Sequence, residues 1–279
     1  MQAHDLIELN IADSVAILRL NHPERLNPLG IAMQEQLRAC FAELRHHPDI
    51  AVLVITGAGK AFCVGADLST IDSNQSDQTL GEQISEIMQT LSNRVIEDIR
   101  SLPFPVISAV NGPCAGAGVS LALAADVVMA ARSSYFFLSF MPRLGIVPDL
   151  GATWFLERIV GRTRALGLTL LGDRLSAEQA QAWGLIWSCV DDESLMTEAM
   201  RMAQRLAKLP AHAALEMRRA LDSAAEHDLL TQMSYEAKRQ AELIDTPEFA
   251  EGLKAFLEKR EPSFPGRSST SNSVNKRSA

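Results

Sequence analysis

Residues 105–126 read PVISAVNGPCAGAGVSLALAAD, and the fold turns on this stretch. Val106, Ile107, Ala109 and Val110 make a short apolar run behind a proline, the pattern of a buried strand. Asn111 to Gly118 is a glycine-rich turn, and from about Ala117 the residues are small and aliphatic, as in a packed helix. A strand feeding such a turn into a helix start gathers backbone N–H groups and the positive end of the helix dipole at one point. That point suits a phosphate, or an oxygen that becomes negative during a reaction. Taken alone, the same glycines also fit a plain strand-to-helix turn of an α/β protein. Neither nucleotide fingerprint is met. No Lys-Ser/Thr closes a P-loop, and Gly116-Ala-Gly118 lacks the third glycine of the dinucleotide motif.

Around this centre lies a chain of 279 residues, long enough to bury a full core, with 47% hydrophobic and 22% charged residues. Its net charge of -8 argues against nucleic acid as the main partner, since phosphate backbones are met by basic faces. Four cysteines (Cys40, Cys63, Cys114, Cys189) have no metal-ligand spacing and read as free thiols of a reducing compartment. No apolar run reaches membrane-spanning length and no signal-peptide pattern precedes Leu6, so the expectation is a cytoplasmic protein with no membrane partner.

Upstream, Leu6–Ile11 and Val15–Leu20 alternate as two strands, Ile31–Arg45 carries apolar residues at helical spacing, and Ile50–Thr56 is a buried strand. Ser69–Gly81 is polar and reads as a mobile loop before an amphipathic helix marked by Ile84, Ile87, Met88, Leu91, Val95 and Ile99. Downstream come strands at Val127–Ala131 and Tyr135–Leu138, then a glycine-punctuated loop from Leu144 leading into a helix at about Ala152–Val160. A capping box at Ser176–Gln179 opens a short helix that Gly184 ends, followed by a strand at Leu185–Val190. From Leu195 the pattern is helical over 195–208, 211–226, 229–245 and 247–260, and residues 266–279 lack any apolar anchor and read as disordered.

Four motifs, in order along the chain, carry a resemblance. They are Asn21–Asn27 (NHPERLN), Gly59–Leu68 (GKAFCVGADL), the glycine turn after Val110, and Leu144–Thr153 (LGIVPDLGAT). Together they resemble the enoyl-CoA hydratase/isomerase (crotonase) superfamily from about Ile7 to Pro265. The resemblance implies an α/β fold, a spiral of ββα units with a C-terminal helical trimerisation region. The implied division is a core over 1–194 holding the CoA site and the active site, an oligomerisation region over 195–265 and a tail over 266–279. It further implies an acyl-CoA thioester as substrate and a homotrimer or dimer of trimers. No prosthetic group and no metal are implied, coenzyme A entering as part of the substrate.

By the same resemblance the amides of Ala66 and Ala117 are the two donors that hold a thioester oxygen as it becomes an enolate. Ala117 stands where many relatives have glycine, and it still supplies an N–H. Arg25 and Leu26 match the family's CoA-binding loop, with Ala66 beside them, and Lys259 matches a C-terminal lysine that reaches a CoA phosphate. A solvated surface residue is the alternative for Arg25 and for Lys259. Asp67 and Asp126 read as structural, the first as a cap on the turn or helix after Ala66. Cys63 and Cys114 read as buried packing residues. The helix around Ile84–Ile99 is implied to line the acyl pocket.

The acids decide between reactions. Adding water across a double bond is helped by two carboxylates, and the positions that match the superfamily's hydratase glutamates hold Ser120 and Met141. One acid remains, Asp149, where superfamily isomerases place a single carboxylate. One base can take a proton from one carbon and return it two carbons away, which shifts a double bond. The apolar neighbours Ile146, Val147, Leu150, Trp154 and Phe155 would raise its pKa towards the working range, although a Pro-Asp turn is the bland account of the residue. The motif around Asp149 also looks like that of ring-1,2-epoxyphenylacetyl-CoA isomerases. The expectation is an acyl-CoA isomerase with Asp149, Ala66 and Ala117 as its catalytic set. A hydratase with a reduced acid set and a non-catalytic acyl-CoA-binding protein remain as alternatives.

Overall fold

The computed structural model describes residues 6–67 and 78–264. Strands β1 (Ile7–Ala12) and β2 (Val15–Leu20) form an antiparallel hairpin. Its two-residue turn places Asp13 and Ser14 at φ 48° and 65°, a left-handed conformation that short polar side chains tolerate. A loop with one 3₁₀ turn (Pro23–Arg25) leads to helix α1 (Ile31–His46), which buries Met33, Leu37, Cys40, Phe41 and Leu44 at helical spacing. Strand β3 (Val52–Gly57) is buried along its whole length.

Helix α2 (Leu80–Ile87) opens on a reciprocal capping box between Thr79 and Glu82, so the polar stretch expected to be a loop ends two residues early. Residues 69–77 of that expected loop lie outside the described residues. A five-residue π-helical segment, Met88–Ser92, continues α2 into α3 (Asn93–Arg100). Chain order then gives β4 (Val106–Val110), β5 (Cys114–Ala115), α4 (Ala117–Leu123), β6 (Val127–Ala131) and β7 (Tyr135–Phe137). A second π-helical segment, Phe140–Leu144, precedes α5 (Ala152–Leu171), and β8 (Arg174–Ser176), α6 (Ala177–Trp183) and β9 (Ser188–Val190) follow.

The large sheet has the order β1-β2-β3-β4-β6-β9, antiparallel only at its first pair. A small sheet has the order β5-β7-β8. The units β4–β5–α4 and β6–β7–α5 therefore each give their first strand to the large sheet and their second to the small one. Parallel strands covered on both faces read as continuous apolar runs, which is why β3 and β4 show no polar alternation. Leu53, Ile55, Val106 and Val110 face the main core with α1, α3 and α4. Val52, Val54, Ile107 and Ala109 face the other side, covered by Leu195, Ala199 and Ala203 of α7 (Leu195–Leu206).

Three further helices, α8 (Ala213–Ala224), α9 (Leu229–Ile244) and α10 (Pro247–Glu258), follow the expected spans closely, and Thr246 caps α10 ahead of Pro247. Arg218 of α8 is buried and ties this region to the centre. Its guanidinium makes a bidentate pair with Asp126 and donates to the carbonyls of Arg100, Leu102 and Phe104. Asp126 also accepts from the Val106 amide, so it joins the start of β4, the end of the α4 region and α8. The structural role expected of Asp126 is thus a three-way junction.

The helix after the Leu144 loop ends at Val160 as expected, at a break at Gly161 (φ 77°, ψ 160°), and a second helical stretch that the sequence pattern did not show follows to Leu171. One expectation is corrected. The box at Ser176 is half-formed: its hydroxyl accepts from the Gln179 amide, with no reciprocal bond from the Gln179 side chain among the described residues.

Candidate active site

The two glycine turns meet. Cys63 bridges Cys114 in parallel register, and Leu29 bridges Ala66, so the segment 63–66 runs between the first loop and the centre of the fold. The Leu29 amide donates to the Gly65 carbonyl and the Ala115 amide to the Cys63 carbonyl, at 2.7 and 2.9 Å. Gly65 has φ 92°, and a methyl group there would stand 2.9 Å from the Ala115 oxygen and 3.1 Å from the Ala117 nitrogen. The turns can pack this closely only because residue 65 has no side chain. Gly118 obeys the same constraint, since a Cβ on it would lie 2.4 Å from the Cys63 oxygen.

This contact sets two amides on one cavity. Ala117 is the first residue of α4, so its N–H has no carbonyl one turn earlier in the helix to bond. Among the described residues, the Ala66 N–H likewise meets no backbone acceptor. Both residues line the same cavity of about 530 Å3.

Asp149 lines it too. Its backbone is fixed from two sides, by the Ser120 hydroxyl and the Ala152 amide, which both donate to its carbonyl at 2.9 Å. The next residue, Leu150, has φ 49°, a costly conformation for a branched apolar side chain, and Gly151 follows at φ 80°. This turn and the α4 hydroxyl fix the backbone from which the carboxylate extends. Asp149 Oδ1 is buried with no hydrogen-bond partner among the described residues. Burial pushes the carboxyl up to about 6, against a smaller opposing effect of its own backbone N–H.

The remaining wall is apolar. Leu80, Ile84, Ile87 and Met88 come from α2 and the π segment, and Phe137, Phe140, Leu144 and Ile146 from the opposite side. The amphipathic stripe expected over 84–99 therefore divides: its first half faces the cavity, while Val95, Ile96 and Ile99 enter the core. Only two carboxylates, Asp67 and Asp149, line the cavity among the described residues. Asp67 is held by Arg25 in a bidentate pair at 2.7 and 2.9 Å. The cap expected of Asp67 concerns the residues that follow it, which lie outside the described residues. Ser120 is buried, and Met141 lies outside the lining.

The structure separates the other expected residues from this group. Arg25 and Leu26 stand on the exposed 3₁₀ loop, outside the cavity lining, but Arg25 reaches Asp67 beside Ala66. Lys259 ends α10 at φ 53° and does not line the cavity of this chain. Cys63 and Cys114 are fully buried free thiols, the first pushed up to about 12 and the second raised well above its ordinary value by burial, so both are protonated packing groups. Sequence reasoning missed Asn27, a buried side chain that accepts from the His22 amide and donates to the Ala58 and Ala61 carbonyls. Its only signal was an asparagine at a turn, which many loops contain. Among the described residues, no group of three His, Cys, Asp or Glu is gathered as a metal site would need, and no helix is long and apolar enough to cross a membrane.

The profile of the enoyl-CoA hydratase/isomerase family matches residues 10–267. The chain belongs to this family. It is 41% identical to the 1,2-epoxyphenylacetyl-CoA isomerase of Escherichia coli K12, over 94% of this chain and 99% of the relative. It is 38% identical to a Rhodobacter capsulatus protein named "Probable enoyl-CoA hydratase", over 95% of this chain and all of that one. The solved enoyl-CoA hydratase of Polaromonas sp. JS666 superposes with a TM-score of 0.86 at 32% identity, covering 93% of this chain and 99% of that one. The crotonase fold expected from the sequence is the fold of this chain. It is an enzyme of a family that acts on CoA thioesters, and the names of its relatives divide between isomerase and hydratase.

Proposed function

We propose that this enzyme is an acyl-CoA isomerase that shifts a double bond, converting a 3-enoyl-CoA or a related ring-derived CoA ester to its conjugated isomer. One observation carries the reading. Among the described residues, Asp149 is the single cavity carboxylate not engaged by an arginine, and it lines the cavity together with Ala66 and Ala117.

The thioester oxygen sits between the Ala66 and Ala117 N–H groups. Asp149, ionised, takes a proton from the carbon next to the thioester. The electron pair left behind delocalises through the carbonyl, and the oxygen gains charge where the two amides stabilise it. The protonated Asp149 then returns the proton two carbons further along, which restores the carboxylate and leaves the double bond conjugated. A carboxyl with a pKa near 6 suits both halves, since it accepts and releases a proton close to neutral pH. Ser120 supports this assignment in a second way. At a position where a hydratase would need an acid, its hydroxyl is spent on the Asp149 carbonyl.

In the same reading the CoA moiety leaves the cavity past Arg25 and Leu26, both exposed. Residues 195–265 act as an oligomerisation region of a homotrimer or a dimer of trimers, and Lys259 serves a CoA phosphate from a neighbouring copy. Exposed apolar side chains on α8 to α10, among them Met217, Leu230, Met233, Phe256 and Leu257, support this role. The test of the catalytic assignment is Asp149→Asn. It should abolish turnover of a 3-enoyl-CoA and leave binding of a saturated acyl-CoA within a few-fold of wild type. An unchanged rate would remove the assignment.

A further inference from the structure

Among the polar side chains of the cavity lining that the proposed reaction does not use, Gln34 carries a buried atom without a partner among the described residues. Gln34, in the first turn of α1, is 7% exposed and lines the cavity. Its Nε2 donates to the Leu29 carbonyl at 2.9 Å, while its Oε1 is buried with no hydrogen-bond partner among the described residues. The amide cannot turn over to relieve this, because Oε1 would then face the Leu29 oxygen, acceptor against acceptor. A buried acceptor left without a donor is costly, so the position calls for a donor from outside the protein.

Polarity across the cavity is thereby asymmetric. Ala66 and Ala117 bring backbone donors to the lining, whereas Gln34 and Asp149 each bring a side chain with one buried, unpartnered acceptor oxygen. Leu29, which anchors the Gln34 amide, is the residue that bridges Ala66. The Gln34 acceptor therefore belongs to the part of the cavity beside the thioester.

We infer that Gln34 is a specificity-determining residue that accepts a hydrogen bond from an O–H or N–H donor of the substrate lying within a few bonds of the thioester. The inference rests on the cavity being the acyl-CoA site. Two parts of an acyl-CoA can supply such a donor: a hydroxyl on the acyl group, or the amide nearest the sulfur in the pantetheine arm.

The experiment is titration calorimetry of wild type and Gln34→Met with hexanoyl-CoA, 3-hydroxyhexanoyl-CoA and adenosine 3′,5′-bisphosphate, which needs no turnover. Methionine keeps the length and removes the acceptor, and the bisphosphate is the part of CoA remote from the thioester. An acyl hydroxyl as donor predicts a loss of about tenfold in affinity in Gln34→Met for the hydroxylated ester alone. The pantetheine amide as donor predicts the same loss for both esters. In either case binding of the bisphosphate should stay within about twofold of wild type. Affinities for both esters within twofold of wild type in Gln34→Met would overturn the inference, and so would an equal loss for the bisphosphate. Should Gln34→Met fail to fold, Gln34→Leu is read against the same limits. Absence of turnover in wild type with ester binding and the Gln34 effect intact would remove the isomerase reading and leave this one standing.

Discussion

Asp149 is held in a setting that favours chemistry over stability. In the unfolded chain its carboxyl ionises around 4, and in the folded protein at about 6. Its contribution to stability is therefore fully present below about pH 4 and is lost as the pH rises through 6, up to about 2–3 kcal/mol. Asp149→Asn removes that loss. Thermal unfolding should show the variant more stable than wild type at pH 8 and no more stable at pH 4. The same titration should appear in catalysis, with kcat/KM rising with pH through about 6 and flat above about 7, since the base works ionised. A second residue-scale prediction uses the place of Ala117 at the first position of α4, where proline fits a helix. Ala117→Pro deletes one N–H with little change of backbone, and kcat should fall about 10²–10³-fold with the melting temperature nearly retained. At this scale the sequence was legible where motif and chemistry coincide, as at Asp149, Ala66 and Ala117. It was silent on Gln34 and on the Arg25–Asp67 pair, because pairing across 42 positions is set by how the two loops pack and leaves no local pattern.

Among the elements, two packing constraints carry the site. Gly65→Ala would put a methyl group against the Ala115 oxygen at φ 92°. Denaturant unfolding should show a loss of about 2 kcal/mol or more, and kcat should fall with it because the two turns are forced apart. Arg218→Met removes the guanidinium that joins β4, the α4 region and α8, leaving Asp126 and three carbonyls with lost partners. Urea unfolding should register about 3 kcal/mol of destabilisation. Strands and long helices were legible because their periodicity is strong, and α1, β2 and β4 fall where the apolar pattern places them. What escaped was decided by tertiary contact. Arg174–Ser176 is a strand only because it pairs with β7, and the second helical stretch that follows the break at Gly161 opens without a side-chain cap signal of its own. The π-helical segments at Met88–Ser92 and Phe140–Leu144, both of which line the cavity, have no composition of their own.

For the whole molecule, the C-terminal helices leave Leu229, Leu230, Phe256 and Leu257 more than two-thirds exposed, which suits a surface that other copies cover. Sedimentation should give three or six times the 30.4 kDa of one chain, and a monomer at micromolar concentration would contradict the oligomerisation role proposed for residues 195–265. The central claim is that one carboxylate, facing two amides in an apolar cavity, moves a proton and adds no water. It is tested most directly by incubating the enzyme with a 3-enoyl-CoA and following 2-enoyl-CoA and hydroxyacyl-CoA together over time. The account predicts that 2-enoyl-CoA accumulates with no hydroxyacyl-CoA, and that Asp149→Asn forms neither. Formation of hydroxyacyl-CoA by the wild-type enzyme would contradict it, because water addition would then proceed without the pair of acids whose matching positions hold Ser120 and Met141.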